Sequence, residues 1–414
     1  MKYGCIGEHL KHSFSKEIHG HISDYDYVIR EIPKDELDAF MRAADFLAIN
    51  VTIPYKEKVI PYLSYIDEGA RLIGAVNTIV NRGGRLYGYN TDFYGMSMLA
   101  KHRGIDFGGK KVLILGTGGT SKTAYAVAKA NGAREIVKAS REAKDGAVLY
   151  TDVYKYHTDT EIIINTTPVG MYPNIFDKPI ELSKFPRLCG VLDAIYNPQS
   201  TPLILEAREL GISAEGGLYM LVAQGVRASE YFLDTKYDDT LLDEIFAKIS
   251  AEKKNIVLVG MPASGKSTIG KIIADRLSRP LIDTDDEIVK LSNMKIPDIF
   301  KNMGEDKFRD IESEAVCTAS AKSGSVIATG GGAILRKTNV SALKENGKIY
   351  FLDRPLEALI PTSDRPTASS KEAIEKRYNE RYEIYKKCAD VIIPAIVSAE
   401  AVANLIIRDF LNQT

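Results

Sequence analysis

Short apolar runs alternate with stretches of helical period along the whole chain. The runs at 112–115, 162–164, 191–192, 256–259, 326–328 and 349–352 are strand-sized. Between them, apolar residues recur three and four apart, as in Leu241, Leu242, Ile245, Phe246 and Ile249. Strand–helix alternation of this kind predicts an α/β fold with parallel sheets. No internal repeat or low-complexity tract interrupts it.

The pattern also divides the chain. A helix over 240–250 gives way to the polar residues Glu252, Lys253, Lys254 and Asn255 and then to a new strand. This predicts a boundary near Ala251, with a join of about four residues that reaches roughly 14 Å at most. Before it, residues 1–96 are rich in polar motif residues, 97–215 carry the βαβ pattern, and 216–250 are helical. We expect an interrupted substrate domain (1–96, completed by 216–250) around a Rossmann-like domain, with a cleft between them. A third domain, an α/β unit with a parallel sheet, is expected over 253–414.

The chain has 414 residues, which suits two or three domains. A net charge of −1 gives no pull toward nucleic acid or anionic membrane. No apolar run approaches the roughly 20 residues that span a bilayer, and the first residues lack a signal-peptide core. Cys5, Cys189, Cys317 and Cys388 form no CxxC pair, so free thiols in a reducing cytoplasm are expected. The six histidines form no HxxxH or HExxH pattern.

Two different phosphate-binding loops then change the picture. GTGGTS (116–121) follows one strand and opens a helix. Gly116 permits the tight turn, Gly118 lets the backbone approach a pyrophosphate, and the small Ser121 allows close helix–strand packing. Gly119 and Thr120 open the helix, whose N–H groups face the anion. About twenty residues on, Ser140 and Arg141 stand where a dinucleotide enzyme reads the ribose. Arg141 favours the 2′-phosphate of NADP, whereas Glu142 leaves NAD open. The second loop, GMPASGKS (260–267), fits GxxxxGK[ST] in full. Gly260, Ala263, Ser264, Gly265 and Thr268 belong to the cradle, Lys266 reaches the β- and γ-phosphates, and Ser267 binds magnesium. Redox chemistry in one half and phosphoryl transfer in the other are expected.

Polar motifs precede the first loop: Ser13 and Ser15, NVTIPYKE (50–57), GAVNT (74–78) and GYNTD (88–92). In an extended segment the two serines would share a face. Together these groups suggest a pocket for a small polyhydroxylated acid. With NTTPVGMYP (165–173), DAIYNPQSTPL (193–203) and GGLYMLVAQG (216–225), they occur in the order found in shikimate dehydrogenases, and the first half resembles that family over nearly its whole length. The resemblance implies that Ser13 and Ser15 hold the substrate carboxylate. It makes Lys56 and Asp92 the catalytic pair, with Thr52, Asn77, Tyr196 and Gln224 on substrate hydroxyls. Gly217 would border the cofactor. Ser15 favours shikimate over quinate.

After the second loop come Asp283 and Asp285, which a strand end would aim at one site, then GEDKFRDIE (304–312) with Arg309, Gly330–Gly331–Gly332, DRP (364–366) and Arg381. Their order resembles shikimate kinase over 255–414. The resemblance places Asp283 near magnesium. It places Asp285, Arg309, Gly330, Gly331, Gly332 and Arg381 on shikimate, with Asp285 and Lys266 catalytic. Arg365 falls on the lid over the ATP phosphates. Two features depart from the family: 359–364 lacks an arginine many relatives use against adenine, and the lid over 361–370 is short.

The expected protein is a cytoplasmic bifunctional enzyme that uses NADP(H), ATP and Mg2+ on small-molecule substrates, with no nucleic-acid or membrane partner; a homodimer is left open. The rival expectations are a second half that only senses nucleotide, and an NAD-dependent quinate enzyme.

Overall fold

The computed structural model describes residues 1–10, 13–144, 146–238, 240–359 and 371–412. The chain forms two compact units. The first comprises Met1–Met171, Asp177–Asn197 and Leu203–Ile249. The second comprises Tyr172–Phe176, Pro198–Pro202 and Ser250–Thr414.

The first unit holds two six-stranded sheets. One is built from β1 (Tyr3–Gly7), β2 (Tyr27–Glu31), β3 (Ala48–Val51), β4 (Tyr65–Ile66), β5 (Thr78–Arg82) and β6 (Arg85–Tyr89), in the order β2-β1-β3-β5-β6-β4. The pairs β3/β5 and β5/β6 are antiparallel and the rest are parallel. The other is built from β7 (Lys111–Leu115), β8 (Glu135–Ser140), β9 (Val148–Leu149), β10 (Ile162–Asn165), β11 (Gly190–Asp193) and β12 (Ser213–Glu215). Its order is β12-β11-β10-β7-β8-β9 and every pair is parallel. The strands β7, β10 and β11 are buried along their full length, as apolar runs covered by helices on both faces must be. Strand order reverses at β7, and the ligand crevice of such a sheet opens at that point.

The second unit has one five-stranded parallel sheet: β13 (Asn255–Val259), β14 (Leu281–Asp283), β15 (Val326–Ala328), β16 (Gly347–Asp353) and β17 (Val391–Pro394), in the order β14-β15-β13-β16-β17. Here the switch point is β13.

Helix Asp92–His102 crosses the division drawn between 96 and 97, because it packs on helix Leu218–Leu233 and on helix Gly119–Ala130 alike. Gly95 permits the first of these contacts, since a Cβ there would lie 2.7 Å from Met220 O. Helix Thr240–Lys253 runs through the polar join, and only Lys254 separates that helix from β13. Among the described residues, no helix is long and apolar enough to cross a membrane. The cysteines are free.

Candidate active sites

In the first unit, Lys56 and Asp92 meet. Lys56 follows the buried Tyr55, and its Nζ donates to Asp92 Oδ2 at 2.6 Å. Asp92 is the first residue of its helix, where a carboxylate is favoured by the helix dipole. Asn90 Oδ1 accepts from the Asp92 amide at 3.0 Å. Asp92 Oδ1 accepts from Asn77 Nδ2 at 2.9 Å, so both carboxylate oxygens are engaged. Asn77 is buried just ahead of β5, and its Nδ2 also lies 3.4 Å from Gln224 Oε1 on helix Leu218–Leu233. Its Oδ1 accepts from the Thr91 amide at 2.8 Å, which fixes which end of the amide faces Asp92.

Behind Asn77 stands a layer that the motifs did not reveal. Tyr27 donates to Asn50 Oδ1 at 2.7 Å, and Asn50 Nδ2 donates to Asn77 O and Thr78 Oγ1. The ring of Tyr27 stacks on His19 at 3.9 Å. Burial pulls the His19 imidazole down to about 3, so it is a neutral part of this wall. Only the parallel register β2-β1-β3 brings Tyr27 to Asn50.

The paired serines are not in an extended segment. Ser15 begins helix Ser15–Ile22, and the Ser13 hydroxyl turns back to Ser15 Oγ at 3.0 Å. They still converge, by helix initiation instead of strand alternation. Tyr196 joins them, because its ring meets the intervening Phe14 edge-on at 5.3 Å. Thr52 follows β3 and donates its amide to Ile6 O at 2.9 Å.

The first glycine loop leaves β7 as expected. Gly116 has φ +106, and a Cβ there would lie 2.8 Å from Thr166 Oγ1. Nothing lies within 4 Å of the Cβ position at Gly118 or Gly119, so this face of the loop is open space. Thr120 and the buried Ser121 continue the first helical turn. Gly217 precedes helix Leu218–Leu233, with Ala194 O only 2.3 Å from where its Cβ would be. Ser140 ends β8 and Arg141 is exposed beyond it. The Glu142 carboxylate, which left NAD open, is paired with Lys144 Nζ at 3.3 Å.

In the second unit, the phosphate loop links β13 to helix Lys266–Leu277. Gly260, Ala263 and Gly265 have φ of 153, 64 and 93, the left-handed backbone such a loop requires. Lys266 is buried and donates to Gly260 O and Met261 O, at 2.8 and 2.9 Å. Ser264 Oγ is buried without a partner, while Ser267 and Thr268 are exposed. Ser267 Oγ donates to Asp283 Oδ2 at 2.7 Å. A hydroxyl and a carboxylate at a helix start supply the hard oxygen donors magnesium takes.

Asp283 ends β14, but Asp285 is not on that strand; it lies in the first turn of helix Thr284–Ser292. The two acids are arranged by a helix cap, since Asp283 Oδ1 accepts from the Asp285 amide at 3.0 Å. Three glycines gather the rest of the site. A Cβ on Gly330 would lie 2.7 Å from Asp285 Oδ1, one on Gly331 2.9 Å from Pro262, and one on Gly332 2.1 Å from Arg309 Nη1. Arg381 Nη1 donates to Gly331 O at 3.0 Å. Arg309 is held by Glu312 at 2.7 Å and by Glu305 at 3.0 Å. Burial works against its charge, and these carboxylates more than offset it. Glu312 was legible only as the i+3 partner of Arg309. Arg365 and the short lid over 361–370 lie outside the described residues, as does the arginine-poor stretch beyond Leu359.

Residues 5–79 match the family model for the shikimate dehydrogenase substrate binding domain, and residues 262–410 match that for shikimate kinase. The shikimate dehydrogenase (NADP(+)) of Clostridium beijerinckii is 33% identical over 267 residues, which are 61% of this chain and 99% of that protein. The chain belongs to the shikimate dehydrogenase family. The family member from Halothermothrix orenii is 38% identical over 262 residues, covering 56% of this chain and 91% of its own. The crystal structure of shikimate dehydrogenase 1 from Peptoclostridium difficile has 37% identity and a TM-score of 0.55, over 60% of this chain and 98% of that one. A chorismate mutase/shikimate 5-dehydrogenase fusion from Clostridium acetobutylicum has 33% identity and a TM-score of 0.57, over 60% of this chain and 96% of that one. In the present chain the dehydrogenase is joined instead to a shikimate kinase domain, which makes it a bifunctional shikimate-pathway enzyme. A second half that merely senses nucleotide is not favoured.

Proposed function

We propose that the first unit reduces 3-dehydroshikimate to shikimate with NADPH, and that the second phosphorylates the shikimate 3-hydroxyl with ATP and Mg2+. When bound, NADPH supplies the hydride, and ATP with Mg2+ supplies the phosphoryl group. Lys56 gives a proton to the carbonyl oxygen as it gains charge, and Asp92 orients the ammonium. Asn77 holds Asp92 and, with Gln224, Thr52 and Tyr196, reads the substrate hydroxyls. Ser13 and Ser15 take its carboxylate. The open edge at Gly118 and Gly119 takes the pyrophosphate, and Arg141 takes the 2′-phosphate, with Glu142 neutralised by Lys144.

In the second unit, Asp285 receives the acceptor hydroxyl, and Arg309 and Arg381 hold the carboxylate. Lys266, now on its own loop carbonyls, would bind the phosphates, and Ser267 and Asp283 would hold the metal. The observation that carries this reading is Gly331. Its carbonyl accepts from Arg381, and a Cβ on it would lie 2.9 Å from Pro262 of the phosphate loop. Acceptor and donor sites therefore share a wall, as in-line transfer requires.

Incubating the chain with 3-dehydroshikimate, NADPH, ATP and Mg2+ tests both steps. Shikimate should rise first and shikimate 3-phosphate after it. Stoichiometric NADPH oxidation without phosphorylated product would refute the second assignment. Dependence on these intracellular cosubstrates supports a cytoplasmic location. A homodimer is proposed as the assembly, and light scattering at the 45.7 kDa monomer mass would overturn it.

A further inference from the structure

Arg354 takes no part in the contacts described so far. It directly follows β16, which runs parallel to β13 with Val259 opposite Phe351. Both strands end at the same edge of the sheet, and the phosphate loop leaves β13 there. At the start of that loop, a Cβ on Gly260 would lie 3.1 Å from Leu352 O. At its far end, the Cβ position of Gly265 is 4.0 Å from Arg354 Nη1. The half-buried guanidinium therefore lies against the residue that opens helix Lys266–Leu277.

Its bonding is incomplete. Arg354 Nε is buried and has no hydrogen-bond partner. The neighbouring Asp353 carboxylate accepts from Tyr382 at 3.1 Å. Burying a guanidinium N–H with no acceptor is unfavourable, and an anion arriving at Gly265 would meet the Nη1 end of the same group. The planar fork of arginine suits phosphate oxygens in particular.

We propose that Arg354 is a further cation of the nucleotide site, donating to the phosphate chain of ATP where the amides of Gly265 to Ser267 cradle it. The proposal rests on the kinase reading of the second unit. It assigns Arg354 to the phosphates and not to the base, since the contact is made at the loop glycine. Arg354 binds here as a charged donor, so lysine can replace it in part.

The test uses the full chain and its Arg354→Ala and Arg354→Lys variants. Binding of Mg·ATP and of inorganic tripolyphosphate is measured by calorimetry, and KM for ATP and for shikimate by steady-state kinetics. Arg354→Ala should weaken both ligands by roughly ten- to a hundredfold, the range for hydrogen bonds to charged groups. Arg354→Lys should recover part of that loss, and KM for shikimate should stay within about twofold. An alanine variant that binds ATP like the parent overturns the proposal. So does a loss seen with ATP but absent with tripolyphosphate, or an equal rise in KM for shikimate. A parent chain that binds no ATP would sink the kinase reading itself, which separates the two failures.

Discussion

Replacing Gly332 by alanine tests the site proposed for the phosphoryl acceptor. The backbone there has φ −105 and ψ −7, which alanine adopts without strain. The new methyl would lie 2.1 Å from Arg309 Nη1, 2.8 Å from Cζ and 2.9 Å from Nη2. Ordinary contact is about 3.5–4 Å, so the guanidinium must retreat by more than an ångström. Retreat breaks its 2.7 Å bond to Glu312 and moves it from the place assigned to the shikimate carboxylate. Losing one such charge-assisted bond is worth about 1.5–3 kcal/mol, or roughly 10- to 150-fold in kcat/KM. The assay varies shikimate at saturating ATP, with the dehydrogenase rate of the same preparation as an internal control. A kcat/KM within twofold of the parent would refute the assignment of Arg309. Parallel weakening of ATP would point to collapse of the unit instead.

Lys56→Ala should lower kcat for reduction by roughly 10²- to 10⁴-fold and leave phosphorylation of added shikimate unchanged; a loss of both in stopped assays would count against the role. Gly118→Ala meets no protein atom within 4 Å, so thermal stability should hold while KM for NADPH rises; an unchanged KM would mean that the cofactor does not approach there. Arg141→Ala should raise KM for NADPH more than KM for NADH, and equal effects would refute a 2′-phosphate contact. Glu345 is 1% exposed with both oxygens unpartnered, and burial pushes its carboxyl up to about 9. The folded state therefore binds the proton that the unfolded chain releases above its ordinary value of 4.5. Stability falls as pH rises from there toward 9, by at most about 1.4 kcal/mol per pH unit. Glu345→Gln should flatten that slope in heat-inactivation of the kinase between pH 6 and 8.5, and parallel slopes would disprove it.

Both glycine loops were legible from sequence because glycine spacing and the flanking strand and helix are local properties. So was the Lys56–Asp92 pair, once ordered motifs implied it. What failed was geometry within motifs. Ser13 and Ser15 meet because Ser15 starts a helix, and Asp283 and Asp285 are joined by a cap, both of which mimic strand alternation in the text of the chain. Tyr27 was invisible for a different reason. Its link to Asn50 depends on a parallel register between strands far apart in sequence, which no local pattern encodes. The division drawn at 96/97 falls inside helix Asp92–His102, which packs on two other helices. Arg354 escaped because a lone arginine after a strand has no motif.

Gly95 has no functional group, yet it governs a spacing between two that do. Asp92 sits one turn before it, and Gln224 lies on the helix that the missing Cβ lets approach to within 2.7 Å of that position. A single methyl at this point would wedge the two helices apart and carry the carboxylate and the amide with them. The spacing of these two side chains is thus written partly in a hydrogen atom, at a buried crossing that no screen confined to polar residues would visit.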